Sequence, residues 1–117
     1  MGPSKFLAIS AADASVNQVS AAIVLDQMLY ASIVVLMTGA STGTLKVQVS
    51  NDLMPQPASS PVPTNWVDLA GISVVMTANS TFIIPKFDVC YGYMRLVYTK
   101  NNGSAGTISA FVKTISF

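Results

Sequence analysis

Ser32-Ile33-Val34-Val35-Leu36-Met37-Thr38, then Gly39 to Gly43, then Thr44-Leu45-Lys46-Val47-Gln48-Val49 is the stretch that decides the fold. Nearly the same text recurs at Met94-Arg95-Leu96-Val97-Tyr98-Thr99, Lys100 to Gly106, and Thr107-Ile108-Ser109-Ala110-Phe111-Val112. Each reads as a β-hairpin. An apolar run rich in branched and aromatic residues ends at Thr, a Gly/Ser/Asn loop follows, and Gly-Thr-Leu or Gly-Thr-Ile opens a second run. Branched residues and Thr suit a pleated strand, while Gly supplies the φ > 0 positions of a tight return.

The alternation assigns faces. Thr44, Lys46, Gln48 and Ser50 lie opposite Leu45, Val47 and Val49, so that strand has one wet side and one core side. Residues 33–37 are apolar on both sides, which predicts a strand covered twice, by a second sheet and by another subunit. Met94, Leu96 and Tyr98 share one face, with Tyr93, Arg95, Val97 and Thr99 on the other. Ile108, Ala110 and Val112 oppose Thr107, Ser109, Phe111 and Lys113. A one-residue slip would exchange these faces, so the pattern pins register.

Outward from these runs, a strand is expected near 5–10, a polar turn at 13–17 and a strand at 18–25, with Val19, Ala21, Ile23 and Leu25 on its apolar side. Short strands follow at 66–69, ended by Gly71, at 72–77, and at 81–84, closed by Pro85. Residues 53–65 hold four of the six prolines, a density that forbids a central strand and favours an extended, projecting loop. The sum is a single all-β domain of about eight strands without substantial helix, an antiparallel β-sandwich of jelly-roll type, with a closed barrel as the alternative.

Charge bounds the partners. A 12.3 kDa domain exposes about 6,100 Å². Six Lys and Arg and five Asp, with no Glu and no His, are 9% of the chain, against roughly 25% in ordinary domains. Such a surface is carried by Ser, Thr, Asn and Gln or is removed from water by self-association, here read as a homo-oligomer, trimer or larger. Lys5, Lys46, Lys86, Arg95, Lys100 and Lys113 are scattered, which argues against nucleic acid. The most apolar stretch, 28–38, is too short to span a membrane. The N-terminal residues lack the long apolar run of a secretory signal.

Little here points to catalysis. Without histidine the chain lacks the commonest general base and metal ligand. Lone Cys90, beside Val89 and Tyr91, reads as a small core residue. Asp13, Asp26, Asp52, Asp68 and Asp88 are spread along the chain, several at apparent turns, and capping accounts for them better than a catalytic pair. No enzyme, cofactor or metal site is expected. Arg95, within a strand, calls for a carboxylate, with Asp68 or Asp88 as candidates. Asn79-Ser80-Thr81 and Asn102-Gly103-Ser104 match the glycosylation sequon but read as turns. Trp66, Tyr91 and Tyr93 could stack on a sugar ring, or serve as core and rim aromatics.

The order of these pieces resembles small β-sandwich structural proteins of tailed bacteriophages and related bacterial viruses. The residues that carry the resemblance are Gly43-Thr44-Leu45-Lys46-Val47-Gln48-Val49-Ser50-Asn51-Asp52, Asn65-Trp66-Val67-Asp68-Leu69, Tyr93-Met94-Arg95-Leu96-Val97-Tyr98-Thr99 and Gly106-Thr107-Ile108-Ser109-Ala110. It covers roughly residues 17–114. After Asp52 the pattern usually continues with Gly, whereas here Leu53 and the Pro-rich insertion follow. The resemblance implies a virion protein, a capsid decoration or head or tail component, with itself and other virion proteins as partners. The contact residues expected are Ile33, Val35 and Met37 on the doubly apolar strand and Pro55, Pro57, Pro61 and Pro63 in the loop. A carbohydrate-binding module using Trp66, Tyr91 and Tyr93 is the alternative.

Overall fold

The computed structural model describes residues 3–25, 28–51, 65–89, 91–103 and 105–116. Among them the chain forms nine strands and no helix: β1 (Pro3–Asp13), β2 (Gln18–Val19), β3 (Ile23–Val24), β4 (Met28–Thr38), β5 (Thr42–Ser50), β6 (Val67–Met76), β7 (Thr81–Asp88), β8 (Tyr93–Asn102) and β9 (Thr107–Ser116). They make two antiparallel sheets. One is four-stranded, in the order β1-β9-β4-β7, and the other runs β2-β8-β5-β6, with β3 also on β8.

This order corrects the reading of two hairpins. β4 and β5 do not pair: β4 lies between β9 and β7, whereas β5 lies between β8 and β6. β8 and β9 are likewise in different sheets. The two Gly-rich loops are therefore corners that carry the chain from one sheet to the other. They pack back to back. A Cβ on Gly39 would stand 2.5 Å from the Gly106 Cα, and one on Gly106 would collide with the Thr38 carbonyl. The Thr38 and Thr107 hydroxyls meet at 2.6 Å beside them, and the Ser41 hydroxyl donates to the Ala105 carbonyl at 2.6 Å.

The antiparallel pairs are nested: β5 with β6, β4 with β7, the β2 and β3 pieces with β8, and β1 with β9. One long hairpin rolled over a core gives this order, which is the jelly-roll arrangement. The expected sandwich is thus the architecture found, reached by sheet-crossing corners instead of local hairpins.

Faces follow the alternation. Leu45, Val47 and Val49 meet Ile33, Val35 and Met37 in the interior, joined by Met94, Leu96, Tyr98, Ile108, Ala110 and Val112, all buried. Tyr98 is fully buried and its hydroxyl donates to the Ala14 carbonyl at 2.7 Å. Gly43 makes room for that ring, because a Cβ there would lie 2.5 Å from Tyr98 Cε1.

Three strands depart from expectation. The strand read at 18–25 is two short pieces, because Ser20 satisfies Leu96 with its own backbone and hydroxyl: its N–H donates to the Leu96 carbonyl at 2.9 Å, and the Leu96 N–H donates to Ser20 Oγ at 2.8 Å. The break shifts the alternation, so Val19 and Ala21 face solvent while Ser20, Ile23 and Leu25 are buried. β6 runs through Gly71, which sits in a bulge at φ +79° between the pairs Lys46↔Ser73 and Gln48↔Asp68. β7 runs through Pro85 because it is an edge strand, where a missing N–H costs no ladder bond.

Candidate functional site

Ile33, Val35 and Met37 are fully buried, so they are not available for contacts with another chain. The pleat turns them toward the opposite sheet and leaves Val34 and Leu36 as the outward residues of β4. Pro55, Pro57, Pro61 and Pro63, and Cys90, lie outside the described residues.

The outer side of β4 belongs to an apolar row that crosses the whole four-stranded sheet. Leu7 of β1 is in register with Phe111 of β9, Phe111 with Val34 of β4, and Val34 with Ile83 of β7. Their exposures are 53%, 47%, 39% and 65%. Leu36 and Ile115 flank the row and are also exposed. Toward one end of the strands Lys86 stacks on the Tyr30 ring, 4.4 Å from its centroid, and Tyr30, Ser32, Lys86, Lys113 and Ile115 line a shallow depression. Toward the other end lie the uncharged Thr38, Thr81, Thr107 and Ser109, with Asp13 of β1 opposite Thr107. Sequence reading missed this row because its members come from four distant segments. Alternation names each as outward, but only the register aligns them.

The outer side of the second sheet has a different character. Arg95, Gln48 and Asp68 occupy directly opposed positions on β8, β5 and β6. Arg95 Nε donates to Gln48 Oε1 at 2.8 Å, and Gln48 Nε2 donates to Asp68 Oδ1 at 2.9 Å. Lys46 Nζ reaches Asp68 Oδ2 at 3.0 Å. The hydrogen bond from Gln48, then that from Lys46, hold the Asp68 carboxyl below the ordinary aspartate value. Arg95 was expected to pair with Asp68 or Asp88; instead Gln48 stands between it and Asp68, and its guanidinium lies over Trp66, 4.4 Å from the ring centroid. These groups satisfy one another, and the exposed ion pair adds little stability.

Trp66, Tyr91 and Tyr93 are all half-buried. Tyr91 packs against the core and lines an open cleft of about 510 Å³ with Asn51, Asn65, Asp68 and Leu69, whereas Trp66 and Tyr93 are not among its lining residues. Among the described residues no group of three Cys, Asp or Glu side chains is placed to hold a metal ion, and no helix is long and apolar enough to cross a membrane.

No family model and no curated protein matches the sequence. Solved structures do share its fold. The SPBc2 prophage-derived protein YomS superposes with a TM-score of 0.58 at 13% identity, over 97% of this chain and 93% of that one. A subunit of the disulfide-linked pili that form Bacillus endospore appendages superposes with a TM-score of 0.53 at 17% identity, over 98% and 85%. These likenesses show a shared β-sandwich fold, with one neighbour derived from a prophage and the other belonging to a family of pili.

Proposed function

We propose that this chain is a non-enzymatic structural protein of a phage particle, which self-associates and attaches to or builds part of the head or tail. The observation that carries this reading is the apolar row Leu7-Phe111-Val34-Ile83 on a jelly roll with only eleven charged residues. The row itself carries no charge, and Lys86, Lys113, Asp88 and Asp13 lie toward the ends of the sheet, so burying the row against protein removes apolar surface from water at little desolvation cost. The sequence resemblance to virion sandwiches and the fold shared with a prophage protein support the same class. The polar constellation Arg95-Gln48-Asp68-Lys46 is internally paired, which supports a scaffold role over a catalytic one.

The test is to purify particles by density gradient from the strain that encodes the chain and to identify their proteins by mass spectrometry. The chain is expected to band with the particles in a fixed ratio to the major head or tail protein. Recovery only in the unassembled protein at the top of the gradient overturns the reading.

A further inference from the structure

We infer that the outer face of the β1-β9-β4-β7 sheet is where two copies of this chain meet, related by a two-fold axis that runs along the row Leu7-Phe111-Val34-Ile83. The inference rests on the self-association reading above and specifies its surface and symmetry.

Copies of a sandwich can join edge to edge or face to face, and the edges here are blunted. β7 carries Pro85, β6 is bulged at Gly71, β1 has register shifts at 7–9 and 9–12, and the edge opposite β6 is split into β2 and β3. That leaves the faces. The second sheet presents the internally paired Arg95-Gln48-Asp68-Lys46 set, whose burial would desolvate charges. The four-stranded sheet presents the aligned apolar row at its centre, with Lys86, Lys113, Asp88 and Asp13 toward its ends, whereas the exposed Val19, Val24, Val67 and Val75 of the second sheet sit on its edge strands.

Area is sufficient. The row with Leu36 and Ile115 leaves on the order of 500 Å² of apolar surface, the upper end of what a soluble monomer exposes in its largest patch. Four strands about 4.8 Å apart, with about ten residues at about 3.3 Å rise, make a face of roughly 19 by 33 Å. With its side-chain relief such a face approaches the roughly 800 Å² per partner of a standard interface.

Charge selects the axis. A two-fold parallel to the strands would set Lys86 and Lys113 of one copy against the same residues of the other, a like-charge juxtaposition that no neighbouring carboxylate except Asp88 offsets. A two-fold along the row reverses the strands. Lys86 and Lys113 then lie over Leu36, Thr81 and Ser109, toward the end where Asp13 stands opposite Thr107, their stems covering apolar surface and their ammonium groups reaching the rim. Each residue of the row meets its own copy, as an isologous contact requires. An assembly built on this contact has an even number of chains, so of the trimer-or-larger oligomers expected it fits a tetramer or hexamer.

The experiment combines sedimentation with cross-linking. Wild-type chain is expected to sediment as a dimer or a multiple of it at micromolar concentration. Phe111→Lys and Ile83→Lys, both at exposed positions, are expected to sediment as monomers with an unchanged circular dichroism spectrum. Single cysteines are then placed in a Cys90→Ser background and treated with a short bismaleimide. Phe111→Cys is expected to cross-link to itself. Ser109→Cys and Lys113→Cys are expected to cross-link in a mixture several-fold better than either does alone. A wild-type monomer overturns this inference together with self-association. An oligomer that survives both lysine variants overturns the face alone, and efficient self-cross-linking at position 113 overturns the axis.

Discussion

Tyr98 shows how one buried polar atom fixes its surroundings. Its ring fills the space above Gly43 and its hydroxyl finds the Ala14 carbonyl, so a large amphipathic side chain is buried with its polar end satisfied. Gly43→Ala is expected to destabilise the fold by about 2 kcal/mol or more, because the new methyl would meet both the ring and the Thr99 carbonyl, and backbone cannot yield as a side chain can. Tyr98→Phe should cost about 1–2 kcal/mol by leaving the Ala14 carbonyl unpaired. Urea midpoints measure both. Burial also raises the Tyr98 phenol above its ordinary value of 10.0. The neutral form is favoured in the folded state, so this stability is complete below that value and is lost as pH rises through the folded value; Tyr98→Phe should flatten that alkaline slope. Thr114 is the opposite case. It is fully buried and its hydroxyl has no partner among the described residues. Thr114→Val keeps the shape and removes the unpaired group, and is expected to raise stability by about 1 kcal/mol.

At the scale of elements, glycine does two different jobs, and they are separable by substitution. Gly71 lies in the β6 bulge, and a Cβ there would meet no atom within 4 Å, so its requirement is the φ of +79° alone. Gly71→Ala should cost about 1 kcal/mol, and Gly71→Asn less, since Asn tolerates that conformation. Gly106 has both a φ of +128° and the Thr38 carbonyl where a Cβ would go. Gly106→Ala should therefore lower the melting temperature well beyond Gly71→Ala, by forcing apart two corners that close the sandwich. These corners are also where the sequence was ambiguous. Thr-Gly-Ala-Ser-Thr-Gly-Thr fits a hairpin return and a sheet crossing equally, because both need a short polar turn. What decides between them is whether the flanking strands find better partners elsewhere, and β9 and β8 are such partners more than forty residues away. Faces were legible for β5, β8 and β9 because alternation is local, but not for β4, whose run is apolar on both sides and whose Ile33, Val35 and Met37 point inward. The faces of strand 18–25 were misread because the Ser20 hydroxyl takes the Leu96 N–H, a bond that periodicity does not show and that shifts the alternation.

For the whole molecule, the candidate site was legible in kind but not in place. The low charge of the chain pointed to a self-covering surface, and the face proposed for it rests on Leu7, Phe111, Val34 and Ile83, side chains that only sheet register brings together. The Pro-rich segment is a separate matter. It joins β5 to β6, which are antiparallel neighbours ending at the pair Val49↔Val67. Nested pairing makes this connection the tip of the rolled hairpin, the place where chain can be inserted at least cost to the core. Replacing residues 53–64 by a short Gly-Ser link is therefore expected to leave folding within about 1 kcal/mol of wild type and self-association unchanged, since the apolar row lies on the other sheet. If the segment is what grips the particle, the shortened chain should sediment as the wild type does yet fail to band with purified particles. Phe111→Lys should show the converse separation, with lost self-association and the loop intact. A shortened chain that still bands with particles in the wild-type ratio would move attachment from the loop to the sheets.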